Sequence, residues 1–397
     1  MAGQQRTLSD RGMMYYLFIL GFFAIFSTTI SKDPVLPLFS QALGANDTII
    51  GLISAVSPFA GIVLSFPVGV LSDHIGRRRL LVASGFVFLL APVLYVFITD
   101  PVWLIPVRFF HGMATAILGP VISAVVIDRF PERKGEMLGQ YSSATYVGRM
   151  LAPLSGGIII TALGSGLFSY HAVYIAACLA GIPVFALTLM YREESSGPIN
   201  ILPFSVYKES LGAFVANPGL RATALVDMAT YFAYGALETF LPVLLSSLHF
   251  SAYEIGIVFA IQILAIAATK PFFGKLADKI DKRYQIAGGI LLTGISIAVI
   301  PFCSIFWEFL AVSFLFGLGM SLSSVATSAY VGDIAKRDSV GASMGALSSI
   351  MDIGQSSGPL ITGAVITLAG YTFGFFASFL LAMIVCAVFV LTTGKHG

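Results

Sequence analysis

Eight charged residues stand well inside long apolar runs, away from their ends: Lys32, Asp33, Arg108 and Arg149 in the first half of the chain, and Asp227, Glu238, Lys270 and Asp352 in the second. A charge in hydrocarbon costs at least about 2.5 kcal/mol, so each needs a partner or a task. The chemistry open to them is ion pairing and the gain and loss of protons. A buried carboxylate beside a movable cation can be ionised in one arrangement and neutral in another. Asp33 with Arg108 is the first candidate for that role, and Glu238 the next. The first set holds three cations and one carboxylate, the second one cation and three carboxylates, so attraction between the two sets is expected. Asp227 and Lys270, at similar depth on consecutive runs, are expected to form a structural ion pair. Arg149 and Asp352 fall near mid-depth. Together with Tyr146, Tyr234 and Met351, and with Tyr141 and Tyr231 nearby, they could line a cavity for an amphipathic organic molecule; ordinary helix packing would use the same aromatic residues.

Other chemistry finds no support. There is no His-Glu-x-x-His pair, no Gly-x-Ser-x-Gly turn, no cysteine–histidine cluster and no phosphate-binding loop, so neither an enzyme nor an ATP-driven machine is expected. Cys178, Cys303 and Cys386 lie in separate apolar runs and read as small packing residues. No metal and no cofactor is expected.

The elements that must position these charges are membrane helices. Of 397 residues 57% are hydrophobic and 11% charged, against about 25% charged in soluble domains. Twelve apolar runs are each long enough to cross a bilayer: near 13–38, 48–72, 80–99, 102–127, 137–163, 168–191, 220–248, 252–277, 284–303, 307–334, 340–368 and 370–392. The first is full length and lacks a cleavage site, so it reads as a span. Eighteen of the 22 Lys and Arg residues fall at the termini or in alternate connections, and the opposite connections hold none. By the positive-inside rule both termini and the central connection face the cytoplasm. Short connections point to a prokaryotic inner membrane, with the lipid bilayer as the surrounding partner, no nucleic-acid partner and a monomeric chain.

The chain also matches itself at an offset of 205 residues. Asp33 and Pro37 fall on Glu238 and Pro242, Gly51 on Gly256, Gly69 on Gly274, Asp73 on Asp278, Arg78 on Arg283 and Asp128 on Asp333. After one inserted residue, Gly148, Pro153 and Gly157 fall on Gly354, Pro359 and Gly363. Six spans per repeat give two halves of like orientation, 1–191 and 219–397, joined by a linker over 192–218 in which Pro203–Ala216 could form a short helix. A site between parallel halves near the midplane is the expected arrangement.

Three motifs carry a family resemblance. Gly69-Val-Leu-Ser-Asp73-His-Ile-Gly76-Arg77-Arg78-Arg79, with a degenerate copy from Gly274 through Asp278 to Arg283, resembles motif A of the major facilitator superfamily. Arg108-Phe-Phe-His-Gly112 is similar to motif B of that family. Gly148-Arg149-Met-Leu-Ala152-Pro153-Leu-Ser-Gly156-Gly157 resembles motif C of the drug:proton antiporters with twelve spans, and Asp33 with Pro34 and Pro37 resembles the span-one signature of those exporters. The resemblance implies an all-α membrane protein of twelve helices in two pseudo-symmetric six-helix halves, working by alternating access. It also implies a gating role for Gly69, Asp73, Gly76, Arg77, Arg78, Asp128, Asp278 and Arg283, proton coupling at Arg108, and antiport at Gly148, Pro153, Gly156 and Gly157. Export of a small drug-like substrate in exchange for protons, or another cation, is then expected. Ala152 and Arg149 depart from motif C. Arg149 with Arg108 and Lys32 leaves open a carrier of an organic anion, exporter or symporter.

Overall fold

The structure, a computed structural model, describes residues 10–130, 132–164, 166–191, 212, 216–334 and 340–393, with side chains described at all of these except 66, 69–75, 134–135 and 340–346. The expected linker helix Pro203–Ala216 lies outside them, as do the Gly69 and Asp73 side-chain positions.

The described residues form thirteen α-helices and no strand: α1 Asp10–Ile30, α2 Val35–Ala42, α3 Asp47–Ile75, α4 Arg77–Tyr95, α5 Leu104–Arg129, α6 Lys134–Leu163, α7 Leu167–Met190, α8 Pro218–Ser247, α9 Ala252–Ala277, α10 Lys282–Val299, α11 Phe306–Ile334, α12 Val340–Ala369 and α13 Tyr371–Thr393. Only helices and closed barrels satisfy every backbone group within a bilayer. The first expected span, 13–38, is in fact two helices, α1 and α2. Pro34 and Pro37 lack the N–H that a continuous helix needs, and the residue before a proline avoids the helical region. The break places Lys32 and Asp33 in a turn whose N–H groups both donate to Thr29 O.

Among the described residues, eleven spans are long and apolar enough to cross a membrane by length and composition. The remaining one, α12, is 30 residues long but rich in Gly and Ser and carries Asp352 and Gln355. Its polar composition follows from its position, packed against both α8 and α3. Tight connections use capping: Asn46 accepts from Ile49 N, Ser251 and Glu254 form a capping box, and Gly44, Gly164 and Gly370 take φ of 86–88°. His249, at the repeat position of Gly44, takes φ 66° where most side chains are disfavoured.

The halves meet along two principal lines, α3 on α12 and α6 on α9. A Cβ at Gly51 would collide with Pro359 O, and one at Gly256 would lie 2.5 Å from Pro153 O. Gly363 approaches Asp47 O, and Gly157 approaches Ala252 O. All of these lie toward the face whose connections hold no Lys or Arg, hereafter the Lys/Arg-free face. Thr48 and Thr367 hydroxyls (2.8 Å), Ser356 Oγ donating to Ala55 O (2.9 Å), Tyr371 OH donating to Asp47 (3.1 Å) and Tyr253 N donating to Thr161 (3.0 Å) close the same face. Trp103 and Trp307, largely exposed, stand at its rim as interfacial aromatics.

In a background with the native cysteines replaced by serine, Thr48→Cys with Thr367→Cys is expected to form an oxidative cross-link that holds the halves together after proteolysis of an engineered site in the linker. Gly256→Leu places a side chain against backbone and should raise the closed state by about 1–3 kcal/mol, lowering the cross-linked fraction on a denaturing gel. Unchanged cross-linking in that variant would contradict the glycine seal.

Candidate functional site

At the break between α1 and α2, Lys32 reaches across to the second half and pairs with Glu238 Oε2 on α8, and its Nζ lies 3.8 Å from Asp33 Oδ2. Both carboxylates are buried, at 4% exposure each. Gln355 on α12 donates to the same Glu238 oxygen at 3.2 Å. The attraction expected between the halves is thus carried by one ammonium shared between two acids that occupy the same repeat position. Arg149 and Arg108 act on Asp33 electrostatically from further off, and the nearest cation to Asp33 is Lys32.

Arg108 is almost wholly buried on α5 beside Tyr95, whose hydroxyl meets His111 Nδ1 at 3.3 Å and whose ring stacks on Tyr174 at 4.3 Å. Arg108 forms no ion pair with Asp33; its neighbourhood is a polar aromatic box within the first half.

Near mid-depth, Arg149 on α6 lies within electrostatic reach of Tyr234, Tyr146, Glu238 and Tyr231. Tyr231 and Tyr234 stand edge to face at 6.1 Å. Lys270 on α9 donates to the Tyr146 hydroxyl, with its Nζ 4.8 Å from that ring's centroid. The expected Asp227–Lys270 ion pair is therefore not made. Asp227 faces α11 and accepts from Thr327 Oγ1 at 2.9 Å, while Lys270 points the other way, across to α6. Helix depth was legible in the sequence, but helix rotation was not. Asp352 faces α3, where a Cβ on Gly61 would lie 3.2 Å from its Oδ2. Met351 packs on a cluster with Leu220, Ala224 and Val331, and Tyr141 lies against Gly21. Gln355 is the site residue that sequence reasoning missed, although the repeat register that pairs Gly148 with Gly354 places it opposite Arg149.

The motif residues assemble within halves as well as between them. Arg77 pairs with Asp128, and at the matching repeat positions Lys282 pairs with Asp333 at 2.8 Å. Arg78 donates to Leu189 O (3.4 Å) and Arg283 to Thr393 O (2.7 Å), so each half uses one arginine to satisfy the end of its last helix. Arg283 also binds Asp281 and holds that carboxyl below its ordinary range. Asp278 is exposed at the end of α9, and Gly76, with φ 88°, turns the chain between α3 and α4. In motif C, Gly148 packs on the Phe22 carbonyl and Gly156 on Val35, both inside the first half. Gly157 and Pro153 face α9 across the interface.

A family model described as Major Facilitator Superfamily matches residues 17–220 and 223–396. The "Uncharacterized MFS-type transporter MJ1560" of Methanocaldococcus jannaschii is 24% identical over 338 residues, covering 85% of this chain and 87% of that one. The "Multidrug resistance protein MdtG" of Citrobacter koseri is 24% identical over 355 residues, covering 85% and 84%. Among solved structures, a bacterial homolog of the human lysosomal transporter Spinster, in an inward-facing and unoccupied conformation, superposes with a TM-score of 0.77 at 18% identity over 96% of each chain.

Removing Lys32 leaves two buried acids without their ammonium. Lys32→Met should cost about 3 kcal/mol in thermal unfolding of the purified protein, and the double variant with Glu238→Gln should recover most of that loss. Simple additivity of the two single losses would show that the pair is not coupled.

Proposed function

We propose that this chain, which belongs to the Major Facilitator Superfamily, exports small amphipathic or drug-like organic molecules in exchange for protons. It is a multi-pass membrane transporter; the coupling ion, the direction and the substrate class are the reading argued here. The observation that carries it is the sharing of Lys32 between Asp33 and Glu238. Lys32 and Asp33 belong to one turn, whereas Glu238 belongs to the other half. When the halves, 1–191 and 219–397, part at the Lys/Arg-free face, Lys32 stays with Asp33 and Glu238 keeps only Gln355. A buried carboxylate that loses its cation retains its charge only at a desolvation cost, which a proton removes. Closing that face returns Lys32 to Glu238 and expels the proton.

The positive-inside rule supports a cytoplasmic position for the basic face and both termini, since the opposite connections carry no Lys or Arg. A proton taken up at the open outer face and released inside then runs down the usual gradient and drives export. Motif C supports antiport because its Gly157 and Pro153 lie in the seal that must open and close. The multidrug-resistance relative supports the drug-like substrate class. The second motif A copy supports a gate on the basic face, with Asp73 and Asp278 at matching positions.

In proteoliposomes, Asp33→Asn or Glu238→Gln is expected to abolish accumulation driven by a pH gradient across a panel of amphipathic cations and carboxylates while leaving counterflow exchange intact. Unchanged uphill accumulation by both variants would sink the proton-coupled reading.

A further inference from the structure

Two cations at mid-depth are held by phenols and not by acids. Arg149 comes from the first half and Lys270 from the second, and among the described residues neither makes an ion pair. Both address the same side chain: Lys270 donates to the Tyr146 hydroxyl, and Arg149 lies within electrostatic reach of it. The acids that could have neutralised them are engaged elsewhere. Asp227 is turned to Thr327, Glu238 is taken by Lys32 and Gln355, and Asp352 faces α3. Two like charges close to one neutral phenol repel each other, and each has given up hydration with no acid in direct contact; Glu238 reaches Arg149 only at a distance and already serves Lys32. An anion between them would remove both penalties at once. The planar guanidinium can take a carboxylate in two parallel hydrogen bonds, and the ammonium adds a point charge from the opposite side. Tyr231 and Tyr234, edge to face with each other and within electrostatic reach of Arg149, add aromatic surface of the kind on which an aromatic body packs.

We infer that Arg149 and Lys270, with Tyr146, Tyr231 and Tyr234, form a subsite for an organic carboxylate carried on an aromatic body. The site rests on the export reading above and names the chemistry of its substrate. It also revises the set of cations that the sequence offered for an anion: Lys32 serves the carboxylate pair, and Arg108 lies inside the first half beside Tyr95. Because the two cations belong to different halves, a bound carboxylate draws α6 and α9 together and favours the arrangement in which they touch.

The test uses three probes with one aromatic body, 2-naphthoate, 2-naphthamide and (2-naphthylmethyl)trimethylammonium, titrated calorimetrically into the purified full-length protein. The carboxylate should bind at least about tenfold more tightly than the amide, a difference of about 1.4 kcal/mol. Arg149→Gln and Lys270→Gln should each remove that preference, while Lys270→Arg keeps it. Lys270 is only half-buried, so Lys270→Gln keeps the test open if Arg149→Gln does not fold. Absence of a carboxylate preference in the native protein, tighter binding of the ammonium probe, or a preference unchanged in both Gln variants overturns the subsite. Flux driven by a pH gradient separates the two readings. If flux of any probe occurs without a carboxylate preference, the export reading stands and the subsite falls. If the carboxylate preference persists without such flux, the subsite stands and the export reading falls.

Discussion

Two helix backbones can touch only where neither interposes a side chain, and the closed face of this protein is built on that constraint. Gly51 against Pro359 and Gly256 against Pro153 bring carbonyl groups against bare Cα atoms. Between helices surrounded by lipid there is no hydrophobic gain from association, so close van der Waals contact and hydrogen bonds must supply it. Thr48, Thr367, Ser356, Tyr371 and Tyr253 provide the hydrogen bonds at the same level. The glycine contacts themselves are neutral, and the charged side chain among the hydrogen bonds named here is Asp47, which accepts from Tyr371.

The charges sit below this seal and do different work. Lys32 joins the halves through Glu238 and lies 3.8 Å from Asp33 of its own turn, and on the proposed exchange its partners change with conformation. Arg77 with Asp128 and Lys282 with Asp333 tie neighbouring helices inside one half and keep each half rigid as it moves. Rigid halves with a state-dependent pair between them are what alternating access needs: interactions within a unit persist, and those across the cleft exchange.

Much of this was legible in the chain. Apolar length marked the spans, and the repeat offset paired positions that meet reciprocally in space: Gly51 with Pro359 and Gly256 with Pro153. Two things were not legible. Span 13–38 hid a break, because its apolar length continues through Pro34 and Pro37 while its hydrogen bonding does not. Asp227 and Lys270 share a depth but not a facing direction, and the rotation of a helix is set by packing against neighbours that an amphipathic pattern cannot specify when most faces are apolar.

The reciprocity of the seal has an evolutionary reading. Contacts in which position i of one unit meets position j of the other, and j meets i, define the isologous interface of a twofold dimer. The two halves behave as such a dimer fused through a linker, and fusion removes a restriction under which any true homodimer labours. In a homodimer every substitution appears twice. Here one copy of a position can change alone, and it has done so in the region around the cleft: Arg149 stands opposite Gln355, and Tyr146 opposite Asp352. The ancestral symmetry persists where the halves must fit, and has been broken where the cleft must distinguish one end of a molecule from the other.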